Sequence, residues 1–263
     1  MNLNDISTQL LYTTMPMWVE YKDNKQGYGT GFIYSHMVEE KSNISIPLLI
    51  TNYHVLNNMK RLIIDIAEDS DGKPKSQERV RVEIPENFGM YHNTDLDIVA
   101  ILMAPIFNQM TGSGKKPFFR SITPNLIPSP EVVEKLGAIE EITFIGYPSG
   151  IYDYHNITPI MRRGITASPV WNDFQGEPIF LIDAGVFPGS SGSPVFIINQ
   201  GGYSYDDKFI VGSRIHFLGM LSESIVRKES FDIKTFIGIG VVIKSQIIKK
   251  FVEDGIKSMP DIK

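Results

Sequence analysis

Three short segments of the sequence bring a histidine, an acid and a serine to positions where side chains could react. His54 follows the apolar run Pro47–Thr51, Asp97 directly precedes the run Ile98–Met103, and Ser191 lies in a turn rich in glycine and serine. A serine hydroxyl becomes a nucleophile when a neighbouring base removes its proton, and imidazole is suited to be that base. The pattern therefore predicts nucleophilic chemistry, with Ser191 as nucleophile, His54 as base and acid, and Asp97 holding the imidazole tautomer.

The chain order of these residues narrows the hypothesis. Histidine comes first, then aspartate, then serine, which is the order of chymotrypsin-type triads and not of subtilisin or the α/β-hydrolases. A single serine in a turn or a single histidine after a strand is usually structural, so the prediction depends on their joint occurrence. Asp95 is a second candidate for the orienting acid.

The elements that must position these residues are predicted to be β-strands. The 22 glycines and 16 prolines separate many short runs rich in Ile, Val, Phe, Tyr and Thr, which is typical of an all-β protein. A connection rich in proline and glycine, residues 104–141, divides the strands into two halves, with a short helix over Glu131–Leu136. Apolar residues at helical spacing predict a final helix over Ser245–Ile256. The twelve expected strands are Met17–Tyr21, Thr30–Tyr34, Pro47–Thr51, Leu62–Ile66, Val80–Ile84, Ile98–Met103, Ile142–Ile145, Ile160–Ala167, Ile179–Asp183, Pro194–Ile198, Ile210–Leu221 and Gly238–Ile243.

Composition excludes several other classes of function. The 263 residues are 42% hydrophobic and 21% charged, as in a globular protein, and the net charge of −5 disfavours nucleic-acid binding. Cysteine is absent, so thiol chemistry and disulfides are excluded, and the five histidines form no zinc motif. No signal segment or membrane-length apolar run is visible, so we expect a cytoplasmic protein, or a secreted or periplasmic one if a signal has been removed.

Taken together, these motifs make the sequence resemble the trypsin-like serine peptidases. The resemblance is greatest to the bacterial branch related to the high-temperature-requirement proteases, here without a PDZ domain. It implies a chymotrypsin-like fold of two six-stranded antiparallel β-barrels and a C-terminal helix. Residues 1–110 would form the barrel carrying His54 and Asp97, 111–140 the connection, 141–244 the barrel carrying Ser191, and 245–263 the helix and tail of one catalytic unit. Further segments that match the family are Gly29–Ile33, Ile145–Gly150, Arg163–Ser168 and Gly238–Ile243.

The resemblance also implies roles for further residues. The family places its acid directly before an apolar strand, which favours Asp97 over Asp95. The backbone N–H groups of Gly189 and Ser191 would form an oxyanion hole. Trypsin-like relatives carry an aspartate where Gly185 lies and glutamate-specific relatives a histidine where Leu221 lies, so we expect an uncharged, small to medium apolar residue before the cleaved bond. The pocket for that residue would be lined by Gly185, Ser222, Ser224 and Gly240.

The function expected from this resemblance is that of a serine endopeptidase that forms an acyl-enzyme. It would act on peptides or proteins without cofactor or metal, and with neither nucleic acid nor membrane as partner. Ser190 stands where digestive relatives have an aspartate that pairs with a new N-terminus, so activation by N-terminal insertion is not expected. The alternative is a catalytically silent or partner-activated module that binds peptides on a protease scaffold.

Overall fold

The computed structural model describes residues 2–39, 44–156, 158–228 and 234–258. About half of these residues lie in strands, and the longest helix is at the C-terminal end, as predicted. The strands of the first half are β1 Thr14–Tyr21, β2 Gln26–Glu39, β3 Ile44–Thr51, β4 Met59–Ser70, β5 Lys73–Pro85, β6 Met90–Asn93, β7 Ile98–Leu102 and β8 Pro117–Phe118. Those of the second half are β9 Glu141–Gly146, β10 Ile160–Thr166, β11 Ile179–Asp183, β12 Pro194–Asn199, β13 Tyr203–Tyr205, β14 Lys208–Ile210, β15 Arg214–Lys228 and β16 Lys234–Lys244. The helices are α1 Ile6–Leu10, α2 Tyr53–Leu56, α3 Ala104–Gly112, α4 Pro130–Val133 and α5 Ser245–Ser258.

The second half forms a closed barrel of six strands, as expected. The strands follow one another around it in the order β10, β11, β16, β15, β12, β9, and β13 and β14 form a separate hairpin. Alternate residues point inward because successive side chains in a strand face opposite sides. The barrel interior is filled by buried apolar residues, among them Phe144, Phe180, Ile182, Val195, Leu218 and Val242.

The first half differs from the predicted six-stranded barrel. It is an eight-stranded sheet in the order β5, β4, β1, β2, β3, β7, β6, with β8 beside β4, and no ladder between described residues joins its two ends. Strands β4 and β5 are much longer than the apolar runs that predicted them, and they pair from Arg61 to Ser70 as one hairpin. The turn is Asp71–Gly72, and both residues have positive φ, the backbone that two-residue hairpin turns require. A second six-stranded barrel is therefore not confirmed.

The two halves share one apolar core, which α5 also enters. Phe32 on β2 packs edge-on against Phe217 on β15, with ring centroids 5.4 Å apart. On α5, Ile248, Phe251 and Val252 are buried at the i, i+3, i+4 spacing of an amphipathic helix. The helix predicted over Ser245–Ile256 is confirmed, and the predicted helix Glu131–Leu136 corresponds to the single turn α4. Among the described residues, no helix is long and apolar enough to cross a membrane.

Candidate active site

His54 lies in the one-turn helix α2, directly after the buried strand β3. Asn52 precedes the helix, and its side-chain amide donates to the backbone carbonyl of Asp97 at 3.1 Å. The backbone N–H of Tyr53 donates to the same carbonyl at 3.2 Å. The His54 side chain keeps 49% of its surface exposed, so the imidazole is accessible although its backbone is tied to the segment carrying Asp97.

Asp97 is the acid that contacts His54. Its Oδ1 accepts from the His54 backbone N–H at 2.9 Å, and its Oδ2 lies 2.8 Å from His54 Nδ1. Asp97 adopts φ +54°, in the left-handed region that aspartate tolerates better than most residues. Asp95 is exposed and has no bond to His54. Of the two candidates for the orienting acid, the structure brings Asp97 to the imidazole.

The environment of Asp97 favours its ionised form. Partial burial raises the pKa of the carboxyl, but hydrogen bonds from the His54 side chain and backbone and from Ser222 outweigh burial. The result is a pKa below the ordinary aspartate value. A carboxylate at this position holds the Nδ1 proton of His54 and leaves Nε2 free to accept a proton.

The Ser191 hydroxyl lies between two acceptors. Its Oγ is 3.1 Å from His54 Nε2 and 2.8 Å from the backbone carbonyl of Ser222. A hydroxyl has one proton, so it can donate to only one of these acceptors at a time. Rotation about the Cβ–Oγ bond moves the proton between the Ser222 carbonyl and the imidazole, and only the second arrangement suits proton transfer.

Ser222 is one of the residues predicted to line the substrate pocket. Its polar groups form hydrogen bonds with Asp97 and Ser191. Its Oγ donates to Asp97 Oδ2 at 2.8 Å while its carbonyl accepts from Ser191. Ser222 thus contacts both the acid and the nucleophile. No local pattern in the sequence indicates these contacts, because they depend on how β15 of the second half approaches the segments that carry His54 and Asp97.

The loop that carries Ser191 is held by a threonine from the first half. Thr30 on β2 donates its backbone N–H to the Ser191 carbonyl at 2.9 Å and its Oγ1 to the Gly189 carbonyl at 3.2 Å. Thr30 Oγ1 also accepts from the Tyr147 N–H at 3.0 Å. Gly192 has φ +87°, and a Cβ there would collide with the Thr30 carbonyl oxygen. In the sequence, Thr30 is distinguished only as part of the Gly29–Ile33 segment that matches the family.

The backbone before Ser191 leaves two N–H groups available to a ligand. Gly189 has φ +84°, and within the described residues neither its N–H nor that of Ser191 donates to a protein acceptor. The carbonyl of Pro188 accepts from the Ser149 N–H at 2.6 Å. In a trans peptide the carbonyl and the following N–H point in opposite directions, so this bond turns the Gly189 N–H away from Ser149. Two such donors on one loop suit a developing oxyanion.

The remaining residues predicted to line the pocket lie on β15, on β16 and in the loop before Ser191. Ser224 and Gly240 are partners in the β15–β16 ladder. A Cβ on Gly240 would lie 2.8 Å from Val186 Cγ2, so glycine permits close packing of this strand against the loop before Ser191. A Cβ on Gly185 would collide with the guanidinium of Arg162. No pattern in the sequence associates Arg162 with the pocket.

No metal site is evident in the described part of the chain. Among residues 2–39, 44–156, 158–228 and 234–258, no group of three or more His, Asp or Glu side chains is placed to hold a metal ion.

Comparison with known proteins gives both a family and a fold. The model of the trypsin-like peptidase domain family matches residues 29–202. Comparison with curated protein sequences finds no significant match.

Among solved structures, the HtrA-type protease AlgW with a tripeptide is 13% identical with a TM-score of 0.55, covering 95% of this chain and 62% of AlgW. This chain thus spans less than two thirds of that relative. Tobacco etch virus protease with product is 11% identical with a TM-score of 0.53, covering 95% of this chain and 81% of that one. The thermostable serine protease AL20 from an extremophilic microorganism is 12% identical with a TM-score of 0.52, covering 95% and 99%. At these identities the likeness indicates an all-β chymotrypsin-like fold.

Proposed function

Because the chain belongs to the trypsin-like peptidase domain family, we propose that it is a serine endopeptidase that uses His54, Asp97 and Ser191 as a catalytic triad. The observation that carries the proposal is the pair of contacts on one imidazole. Nδ1 lies 2.8 Å from the Asp97 carboxylate and Nε2 lies 3.1 Å from the Ser191 hydroxyl. Both distances are within the reach that proton transfer needs.

The proposed mechanism begins with attack of Ser191 Oγ on a peptide carbonyl carbon. His54 Nε2 takes the hydroxyl proton as the Oγ–C bond forms, and Asp97 stabilises the imidazolium. The carbonyl oxygen becomes an oxyanion, which the N–H groups of Gly189 and Ser191 would stabilise. In other proteases one such donor contributes about two to three powers of ten in rate. The imidazolium then protonates the leaving amine, and water releases the acyl group by the reverse proton transfers.

The orientation of the Gly189 N–H favours hydrolysis over the silent alternative. A peptide-binding module without activity would be expected to have a collapsed oxyanion loop, with this N–H turned toward its own chain. Here the Pro188 carbonyl is bonded to Ser149 and the Gly189 N–H has no acceptor among the described residues. A cytoplasmic location and a bacterial source stay predictions from the sequence.

The decisive experiment is labelling with a fluorophosphonate probe, which reacts with an activated serine and needs no knowledge of the substrate. We expect the wild-type protein to be labelled at Ser191 and Ser191→Ala to be unlabelled. Ser190→Ala is the matched control, because the Ser190 hydroxyl is adjacent, buried and without a hydrogen-bond partner in the described structure. Equal labelling of wild type and Ser191→Ala, or none of either with and without lysate from the source cells, would contradict the proposal.

A further inference from the structure

Arg162 on β10 reaches the loop that leads to Ser191. In the barrel it is the direct partner of Phe144 on β9, and Phe144 is in turn the partner of Val195 on β12. Val195 follows Ser191 closely in the chain. The backbone register therefore places Arg162 one strand away from β12, which begins three residues after Ser191.

Two aromatic contacts and one glycine fix where the guanidinium lies. Arg162 Cζ is 5.0 Å from the ring centroid of Phe187 and 5.8 Å from that of Phe144, both within the range of cation–π attraction. A Cβ added to Gly185 would be 3.2 Å from Arg162 Cζ and would collide with the terminal nitrogen Nη2. The guanidinium thus occupies the space that a side chain at position 185 would fill. Gly185 is also the residue expected at the base of the pocket for the residue before the cleaved bond.

The charge at this position is permanent and is not neutralised by the described protein. Arginine stays protonated at any physiological pH. Within residues 2–39, 44–156, 158–228 and 234–258, Arg162 has no hydrogen bond or ion pair, although its side chain is only partly exposed. Its neighbour Arg163 differs, since that side chain points outward and pairs with Glu141. Asp183 is two residues from Gly185, but it is exposed, its carboxylate lies near Gly238, and it forms no ion pair with Arg162.

We propose that Arg162 makes the protein select an acidic residue, glutamate or aspartate, immediately before the cleaved bond. This inference rests on the proposed peptidase function. A planar guanidinium with five N–H donors binds a carboxylate in two parallel hydrogen bonds, and a substrate carboxylate would supply the partner that the chain does not. The sequence-based expectation of an apolar residue before the cleaved bond was drawn only from the residues at positions 185 and 221. The charge enters from β10, which lies far from both in the sequence.

The test is cleavage of a peptide library by four purified proteins, with substrate series that differ only in the residue before the cut. Wild type is expected to prefer glutamate over glutamine by about tenfold to a hundredfold in kcat/KM, the range of a hydrogen-bonded charge pair. Arg162→Gln should lose this preference, and Arg162→Lys should retain part of it. Arg163→Gln removes a neighbouring positive charge that points outward, so it should cleave as wild type does. Thermal unfolding of each variant verifies that it is folded.

The experiment distinguishes failure of the Arg162 proposal from failure of the peptidase proposal. If the probe labels Ser191 but glutamine, alanine or lysine is cleaved as well as glutamate, the role of Arg162 is refuted and the peptidase function stands. If no labelling or cleavage occurs, the peptidase proposal fails, and the same library is passed over immobilised Ser191→Ala. Retention of peptides with an acidic residue, lost in Ser191→Ala/Arg162→Gln, would still support Arg162 as the selecting residue. Retention without acidic enrichment would overturn it.

Discussion

Two parts of the candidate site differ in how completely their polar groups are paired: the paired side is the network around His54, Asp97 and Ser191, and the unpaired side is the region of Arg162. On one side, Asp97 accepts from His54 and Ser222, and the loop carbonyls of Gly189 and Ser191 accept from Thr30. On the other side, the Arg162 guanidinium contacts two aromatic rings and no carboxylate of the described chain.

This difference indicates two kinds of task. Groups that must keep one geometry through a reaction are bonded to their own chain, because fixed donors need no reorganisation when charge develops. A half-buried cation without a partner is costly unless a ligand supplies the opposite charge. The paired side is therefore suited to chemistry and the unpaired side to selection, and each can be perturbed without the other.

The largest expected effect is on the paired side, in Asp97→Asn. An amide cannot hold the Nδ1 proton of His54 as a carboxylate does, so the imidazole adopts the wrong tautomer. In the serine protease reference case this substitution lowers kcat by about four powers of ten, and we expect a loss of that order. The measurement is kcat and KM on the best library substrate.

Asp95→Asn is the control for that substitution, because Asp95 is the exposed acid two residues earlier and does not contact His54. It should retain wild-type kinetics. A similar loss in both variants would show that the carboxylates act through the net charge of the segment and not through the imidazole. A shift in the preferred residue before the cut in Asp97→Asn would break the separation between the two sides.

A smaller effect is expected from Thr30→Val, which keeps the shape of the side chain and removes its hydroxyl. The hydroxyl donates to Gly189 and accepts from Tyr147, so the variant leaves a carbonyl and an N–H unpaired in a buried place. We expect a loss of about 1–3 kcal/mol in the free energy of unfolding. We also expect a fall in kcat of roughly tenfold with little change in KM, since one such bond contributes about 1.5 kcal/mol.

Thr13→Val is a matched control for Thr30→Val. Thr13 is also buried, and its Oγ1 donates to the Leu10 carbonyl at 2.8 Å, away from the loop that carries Ser191. This variant should lose comparable stability and keep kcat. If both variants lost kcat equally, Thr30 would matter only through overall stability.

The sequence predicts some parts of the site and not others, depending on whether a residue belongs to a local pattern or is positioned by distant strands. His54, Asp97 and Ser191 each sit in a short segment with its own pattern, an apolar strand before or after a reactive residue, so local reading finds them. Most strands of the closed barrel were predicted for the same reason, because they contain short apolar runs, whereas their closure into a barrel was implied by the family resemblance. The positions of Thr30, Ser222 and Arg162 depend on register between strands that are distant in the chain, and no local pattern carries that information.

The first half shows the same limit in the fold. The β4–β5 hairpin extends well beyond the apolar runs Leu62–Ile66 and Val80–Ile84 that predicted it. Part of the extension carries a polar pair across the hairpin, in which Lys75 Nζ lies 2.6 Å from the carboxylate oxygen Glu68 Oε1. Such pairs stabilise a ladder but interrupt an apolar pattern. A prediction based on hydrophobic runs therefore makes these strands too short, and the closed six-stranded barrel implied by the resemblance is not confirmed for this half.

The smallest expected effect is from Ser222→Ala, which removes one hydrogen bond to Asp97 and keeps the carbonyl that accepts from Ser191. We expect kcat/KM to fall by about threefold to tenfold. The pKa of Asp97 is held below its ordinary value partly by this bond, so the variant raises it toward the value in the unfolded chain.

A group whose pKa is lowered by folding stabilises the protein above its unfolded pKa, about 3.9 for aspartate, and loses that contribution as the pH falls through the folded value. Urea unfolding at pH 7 should therefore show Ser222→Ala less stable than wild type, with the difference shrinking as the pH falls below the unfolded aspartate value. The same substitution in an Asp97→Asn background should lower stability by an amount that does not change with pH, because no carboxylate remains to titrate. A pH-independent difference in the wild-type background would mean that Ser222 stabilises the fold through packing alone. The paired side would then not include Ser222, and it would consist of His54, Asp97 and the Thr30 bonds to the loop that carries Ser191.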